Sequence, residues 1–390
     1  MSSFNTRVLI RAVAATALGL LIALPNTLPA GAAGVQTFTP GRAVYDVGIH
    51  SSVTAAQLEA TTASSIRHYT ATVKVGSTSY TYAIVGKNPA KKVTNASTTV
   101  KVKLIPLVMK FSKGDTWDPT KVDSCDSGAT PLSRVQKSPL VVKQAWTWGG
   151  TAIGTGQVTD AYQRADFWQY AKPGGVNPTY GVILSVSTLS AVTVNVPDAY
   201  AATASIGCGN GLLGATDINW LDPYLQGTVI PSLASKGVSP STLPIFVLHN
   251  FVEYIGTTSQ CCVLGYHNDY SAGGGIQTYG LGMYDNSGVF VGSSDISALS
   301  HEIGEWQNDP YTTNPTPSWG HIGQVTGCQS NLEVGDPLSG TTFPDTVGGF
   351  TYHPQELAFF SWFYHQTPSL GVNGWYSDKG TFTTSAAACP

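Results

Sequence analysis

His301, Glu302 and Glu305 fall within five positions of a chain in which only 11% of residues are charged. On a helix, residues four apart lie on one face, one turn above the other. His301 and Glu305 so placed offer an imidazole and a carboxylate to one divalent ion. Glu302, beside them, is left to take a proton from a water activated by that ion. This is the logic of the zinc peptidase helix H-E-x-x-H, with Glu305 standing where the second histidine would be. The plainer reading is a solvated helix face whose glutamates serve helix propensity. Apolar residues at nearly every other position argue for burial instead, and buried ionisable groups need partners, of which a metal is one.

Two ligands on one helix do not complete a catalytic zinc site, for which three protein ligands and an open position are usual. Downstream, positions 327–337 read GCQSNLEVGDP. Glu333 is the expected third ligand, giving one histidine and two carboxylates, and Asp336 could orient His301 through its other ring nitrogen. Asp336 and His353 are the rivals of Glu333 for the third position. Tyr352 or His353 could steady a developing oxyanion. The expected set is therefore His301, Glu305 and Glu333 on the metal, with Glu302, Tyr352 and His353 in the chemistry. Zinc is the expected cofactor, and a carboxylate-rich site would also accept manganese or iron. His249, His267, His321 and His365 read as hydrogen-bonded structural residues, and Trp306 and Trp319 as packing residues.

The elements that must position these residues follow from pattern. Positions 295–310, DISALSHEIGEWQNDP, predict one helix. Ser293 or Ser294 caps it, Asp295 suits the dipole in its first turn, Pro310 ends it, and Ile296, Leu299, Ile303 and Trp306 form an apolar stripe. Residues 68–75 and 79–85 predict a hairpin turning at Gly76-Ser77-Thr78. Residues 98–111 and 243–250 predict strands entering a core, the second buried on both sides because it is continuously apolar. Strands are also expected within 180–196 and over 277–285, a loop or short strand over 261–268, and a loop over 112–140. Helices are expected over 160–170, 217–236 and 354–365.

Positions 1–32 read as a secretion signal: Arg7 and Arg11, an apolar run from Ala12 to Leu24, and Ala30-Gly31-Ala32 as a cleavage site. No stretch is long enough to span a bilayer. The net charge of −3 becomes −5 once the two arginines are removed. That argues against a nucleic-acid or anionic-membrane partner. The six cysteines are even in number and the expected compartment oxidising, so disulfides are expected. Cys261 and Cys262, being adjacent, are expected to pair with different partners.

The pattern His301, Glu302, Glu305, Asp309, Pro310, Trp319, Glu333, Asp336 resembles that of secreted zincin-like proteins, including the plant exordium (phosphate-induced) family and related bacterial exported proteins. The resemblance covers about a third of the chain. It implies an α+β, zincin-like metallopeptidase domain with a single metal: a mixed sheet, a backing helix and a metal-binding helix. The expected organisation is a signal peptide (1–32), a β-rich N-terminal segment (33–92) and the zincin-like domain (93–390). The expected function is a secreted, zinc-dependent hydrolase acting on a peptide or protein substrate, with the oligomeric state left open. The second reading is a non-catalytic exported or cell-surface binding protein on the same fold. A glycoside hydrolase fits less well, because Glu302 and Glu305 point along neighbouring helix faces rather than flanking a sugar.

Overall fold

The computed structural model describes residues 34–45, 65–273 and 275–389. The expected secretion signal lies outside them. Ala33–Pro390 forms one compact unit of mixed α and β structure, rich in strand. Among the described residues no helix is long and apolar enough to cross a membrane.

The main sheet contains β1 (Ser97–Lys110), β2 (Gly181–Thr188), β3 (Thr242–His249), β4 (Gly265–Ala272) and β5 (Gly275–Tyr284). The order runs β4-β5-β3-β1, with β2 alongside the first half of β1. Among these five strands all pairings are parallel except β4 with β5, so this side of the sheet ends on an antiparallel edge strand, and the end of β1 also pairs antiparallel with Thr116–Trp117. β3 is buried at all eight positions, as its continuous apolar sequence predicts. Its alternation divides the core. Leu243, Ile245 and Val247 pack with Leu299, Ile303 and Trp306 on one face. Phe246 and Leu248 pack with Leu221, Leu225 and Tyr254 on the other.

The helices of seven residues or more among the described residues are α1 (Pro131–Lys137), α2 (Val158–Asp166), α3 (Ile218–Tyr224) and α4 (Ser297–Asn308). α4 lies against β5 and β4. A second sheet, in the order Gln36–Thr37, Ala201–Ser205, Leu212–Asp217, Phe251–Ile255, Thr257–Val263, packs on the far face. The hairpin His68–Val75 and Thr78–Val85 pairs His68 with Val85 across Gly76, whose φ of 58° suits a tight turn.

Several expectations differ from the structure. The 112–140 loop contains α1, which starts with Pro131 and is capped by the Thr130 side chain accepting from Ser133 N. The 261–268 stretch is the end of one strand and the start of β4. The helix expected over 354–365 shortens to Phe360–Phe363, because residues before it are held extended by tertiary hydrogen bonds: Gln355 N to Ser300 Oγ (2.9 Å) and Leu357 N to Asp378 Oδ1 (3.0 Å). Cys261 and Cys262 are bonded to each other rather than to separate partners, and the other pairs are Cys125–Cys208 and Cys328–Cys389.

Candidate metal centre

All twelve residues of α4 are buried, which removes the solvated-face reading. The helix begins later than expected. Asp295 stands before it with a left-handed φ of 39°, and its carboxylate accepts from Ile296 N at 2.6 Å. Two glycines let α4 approach the sheet. A Cβ at Gly282 would come within 2.9 Å of Leu299 Cδ2, and one at Gly265 within 2.9 Å of Glu302 Cγ.

The His301 ring is clamped. Tyr45 stacks on it with centroids 4.0 Å apart and planes at 21°. Gly335 packs against it so closely that a Cβ there would overlap the ring. Nδ1 lies 3.1 Å from Gln355 Oε1. The Gln355 amide is itself oriented, since its Nε2 donates to the Gly335 carbonyl at 2.7 Å. The atom facing His301 is therefore an acceptor, and Nδ1 must carry the proton. In the neutral ring Nε2 then holds a lone pair. It lies 3.0 Å from Glu305 Oε2 and 3.6 Å from Asp336 Oδ1.

Glu305 is held by its other oxygen, which accepts from Gly335 N (2.9 Å) and Asp336 N (3.3 Å). Asp336 accepts from Gln324 Nε2 at Oδ1 and from Gln329 Nε2 at Oδ2, the latter at 3.0 Å. Two carboxylate oxygens facing an imidazole lone pair repel it unless a cation, proton or metal, lies among them. Three ligands at about 2.05 Å from a tetrahedral zinc ion stand about 3.3 Å from one another. The distances of 3.0 and 3.6 Å bracket that value, and the His301, Glu305 and Asp336 donor atoms all lie within 4.8 Å of one another. The donor set fits a zinc-class ion.

A further histidine enters from the edge strand. His267 Nε2 lies 3.0 Å from the Asp309 carbonyl, so that nitrogen is the donor and Nδ1 faces Glu302 Oε2 (3.3 Å) and Glu305 Oε2 (3.9 Å). His267, Glu302 and Glu305 form a second group with donor atoms within 4.8 Å. The Glu302 Oε1 atom is buried without a hydrogen-bond partner. Glu253, wholly buried, is pushed well above the usual carboxylate range, first by loss of hydration and then by the charge of Glu302. None of His267, His301, Glu302, Glu305 and Asp336 is more than 2% exposed.

The remaining expected residues are held differently. Glu333 is buried, with Oε1 accepting from Asn331 Nδ2 at 3.0 Å, and neither group of three includes it. Asp336 stands on the Nε2 side of His301, and the orienting role expected of it belongs to Gln355. Tyr352 donates to the Arg134 carbonyl (3.0 Å). His353 Nδ1 lies 2.7 Å from Asp295 Oδ2, at the start of α4 and away from the Glu302 turn. Sequence reading missed His267, Gln355 and Tyr45. For His267 a signal existed: strand alternation puts it on the same face as Gly265, the face that meets α4. Gln355 and Tyr45 lie in sequence far from the helix, with no local pattern marking them.

Trp306 and Trp319 are wholly buried packing residues, as expected, their indole nitrogens donating to Thr278 Oγ1 (3.0 Å) and to the Asn331 carbonyl (2.9 Å). Compared with known proteins, the chain matches no family model, no curated protein and no solved structure.

Proposed function

We propose that this protein is an exported, metal-dependent hydrolase of zincin-like design, acting on peptide bonds. His301, Glu305 and Asp336 would hold a zinc-class ion, with Asp336 in the place first given to Glu333. The observation that carries the reading is the locked His301 ring, whose Nε2 lies within 3.6 Å of two carboxylates. A bound ion would supply Lewis acidity. Glu302 would take the proton from the attacking water at Oε1, the oxygen with no hydrogen-bond partner.

The antiparallel edge beside α4 supports a peptide substrate, because an extended chain can add to such an edge as a further strand. The N-terminal segment pairs in extended form with the chain just before β4, beside Val263 at the end of the second sheet. Val44 N donates to Cys262 O (2.9 Å) and Leu264 N to Val44 O (2.9 Å). The same segment brings Tyr45 over His301, fastened by Tyr45 N to Gln324 Oε1 (2.8 Å) and Gln324 Nε2 to Tyr45 O (2.7 Å). In this closed arrangement a substrate would enter only as Tyr45 leaves.

The complete burial of the cluster favours a second reading, an exported binding protein with a structural ion. One experiment separates the two. Metal content and peptide hydrolysis are measured for the wild type and for Glu302→Gln. The hydrolase reading expects the ion at His301 retained in both and at least a ~100-fold loss of turnover in the variant. Equal turnover in both would remove the role given to Glu302, and a metal-replete wild type that cleaves no peptide would favour the binding protein.

A further inference from the structure

We infer that the buried cluster is a two-ion centre, in which a second divalent cation is held by His267 Nδ1, Glu302 Oε2 and Glu305 Oε2, and Glu305 is shared with the His301 site. This rests on the metal-binding reading above and extends it from one ion to two.

The argument is that the second group repeats the physical features of the first. His267 is locked by an acceptor that cannot be turned round, the Asp309 main-chain carbonyl at 3.0 Å. In the neutral ring its other nitrogen, Nδ1, then carries a lone pair, and it lies at hydrogen-bonding distance from Glu302 Oε2 (3.3 Å) and 3.9 Å from Glu305 Oε2. The shorter spacing equals the separation of about 3.3 Å expected between ligands on one tetrahedral ion, and the longer exceeds it by about 0.6 Å. The fixed partner is on one nitrogen, and the other meets the carboxylates of Glu302 and Glu305, the second of which already belongs to the first site.

The backbone makes room for this. Gly265 lies against Glu302, and any side chain there would meet its Cγ at 2.9 Å and its Oε1 at 3.2 Å. The two oxygens of Glu302 also divide cleanly. Oε2 faces His267, and Oε1 is buried without a hydrogen-bond partner, so ligation through one leaves the other to handle a proton. Two groups of three that share one carboxylate suit paired ions about 3.5–4 Å apart, the spacing of two-metal hydrolytic sites, where both the attacking and the leaving oxygen are stabilised.

The test is stoichiometry. The purified, disulfide-intact protein is stripped with a chelator and reloaded with Mn(II) alone. Bound metal per chain is then counted by elemental analysis, and low-temperature electron paramagnetic resonance is recorded. The expected result is two Mn(II) per chain with an exchange-coupled spectrum, falling to one uncoupled Mn(II) in His267→Ala. One Mn(II) per chain in the wild type, uncoupled, overturns the second site and leaves the first standing. No bound Mn(II), with Zn(II) loading also failing, overturns the metal reading itself. Two ions retained in His267→Ala would overturn the assignment of His267. If that variant does not fold, the wild-type count and spectrum decide the matter.

Discussion

Gln355 decides which nitrogen of His301 faces the acidic side chains. Its amide is fixed by the Gly335 carbonyl and its main chain by Ser300, so it accepts from Nδ1 and leaves Nε2 on the side of Glu305 and Asp336. Partners of this kind orient a ligand and set its basicity, and their loss commonly costs 10- to 100-fold in metal affinity. Gln355→Ala should therefore weaken zinc binding by roughly that factor, measured by competition against a chromophoric chelator. Unchanged affinity would mean that Gln355 does not orient the ring. At this scale the sequence disclosed what a helix can encode locally. His301, Glu302 and Glu305 are related by the helical repeat, and the acidic stretch containing Asp336 was visible as the next candidate. Which carboxylate faces His301 depends on main-chain donors from Gly335 and Asp336 that fix Glu305, and nothing local announces that.

The element that positions the site is α4, and what sets its depth is the absence of side chains on the strands beneath it. Gly282 on β5 is the clearest case, because an added Cβ would meet both Leu299 Cδ2 at 2.9 Å and Leu299 Cα at 3.3 Å. A main-chain neighbour cannot swing aside. Gly282→Ala should cost about 1–3 kcal/mol of stability as an overpacked core position, read from denaturant unfolding. A neutral result would show that α4 is free to shift. Strands were legible wherever burial is two-sided, as in β3, or the turn is explicit, as at Gly76. The helix expected over 354–365 was not, because its apolar spacing looks helical while Gln355 and Leu357 spend their main-chain donors on Ser300 and Asp378. Tertiary bonds outweigh the fraction of a kcal/mol per residue that propensity supplies. α1 failed the other way: Thr130 and Pro131 are a fair start signal, but polar composition around them masked it.

For the whole molecule, the two cores on either face of the main sheet make a layered α+β fold, and two disulfides join distant parts, Cys125–Cys208 across 83 residues and Cys328–Cys389 across 61. Burial on this scale leaves acids poorly solvated. Asp160, on α2, is pushed up to about 6 from its ordinary 3.8, mainly by loss of hydration, against the pull of Arg164. The sign follows from linkage. A carboxyl whose folded value is raised supports the fold below its unfolded value, and that support is lost as pH climbs through about 6. About two units correspond to ~3 kcal/mol at most. Asp160→Asn, which cannot ionise, should therefore gain stability relative to the wild type between pH 4 and pH 7, measured by denaturant midpoints at each pH. A stability difference that is the same at both values would contradict the assignment.

The measurement that bears most directly on the central claim is anomalous diffraction from crystals grown with zinc, recorded on both sides of the zinc absorption edge. The account predicts a peak about 2 Å from His301 Nε2 that also touches Glu305 and Asp336. No anomalous peak within bonding distance of His301 Nε2, with Nε2 instead in direct hydrogen-bond contact with Glu305, would contradict it.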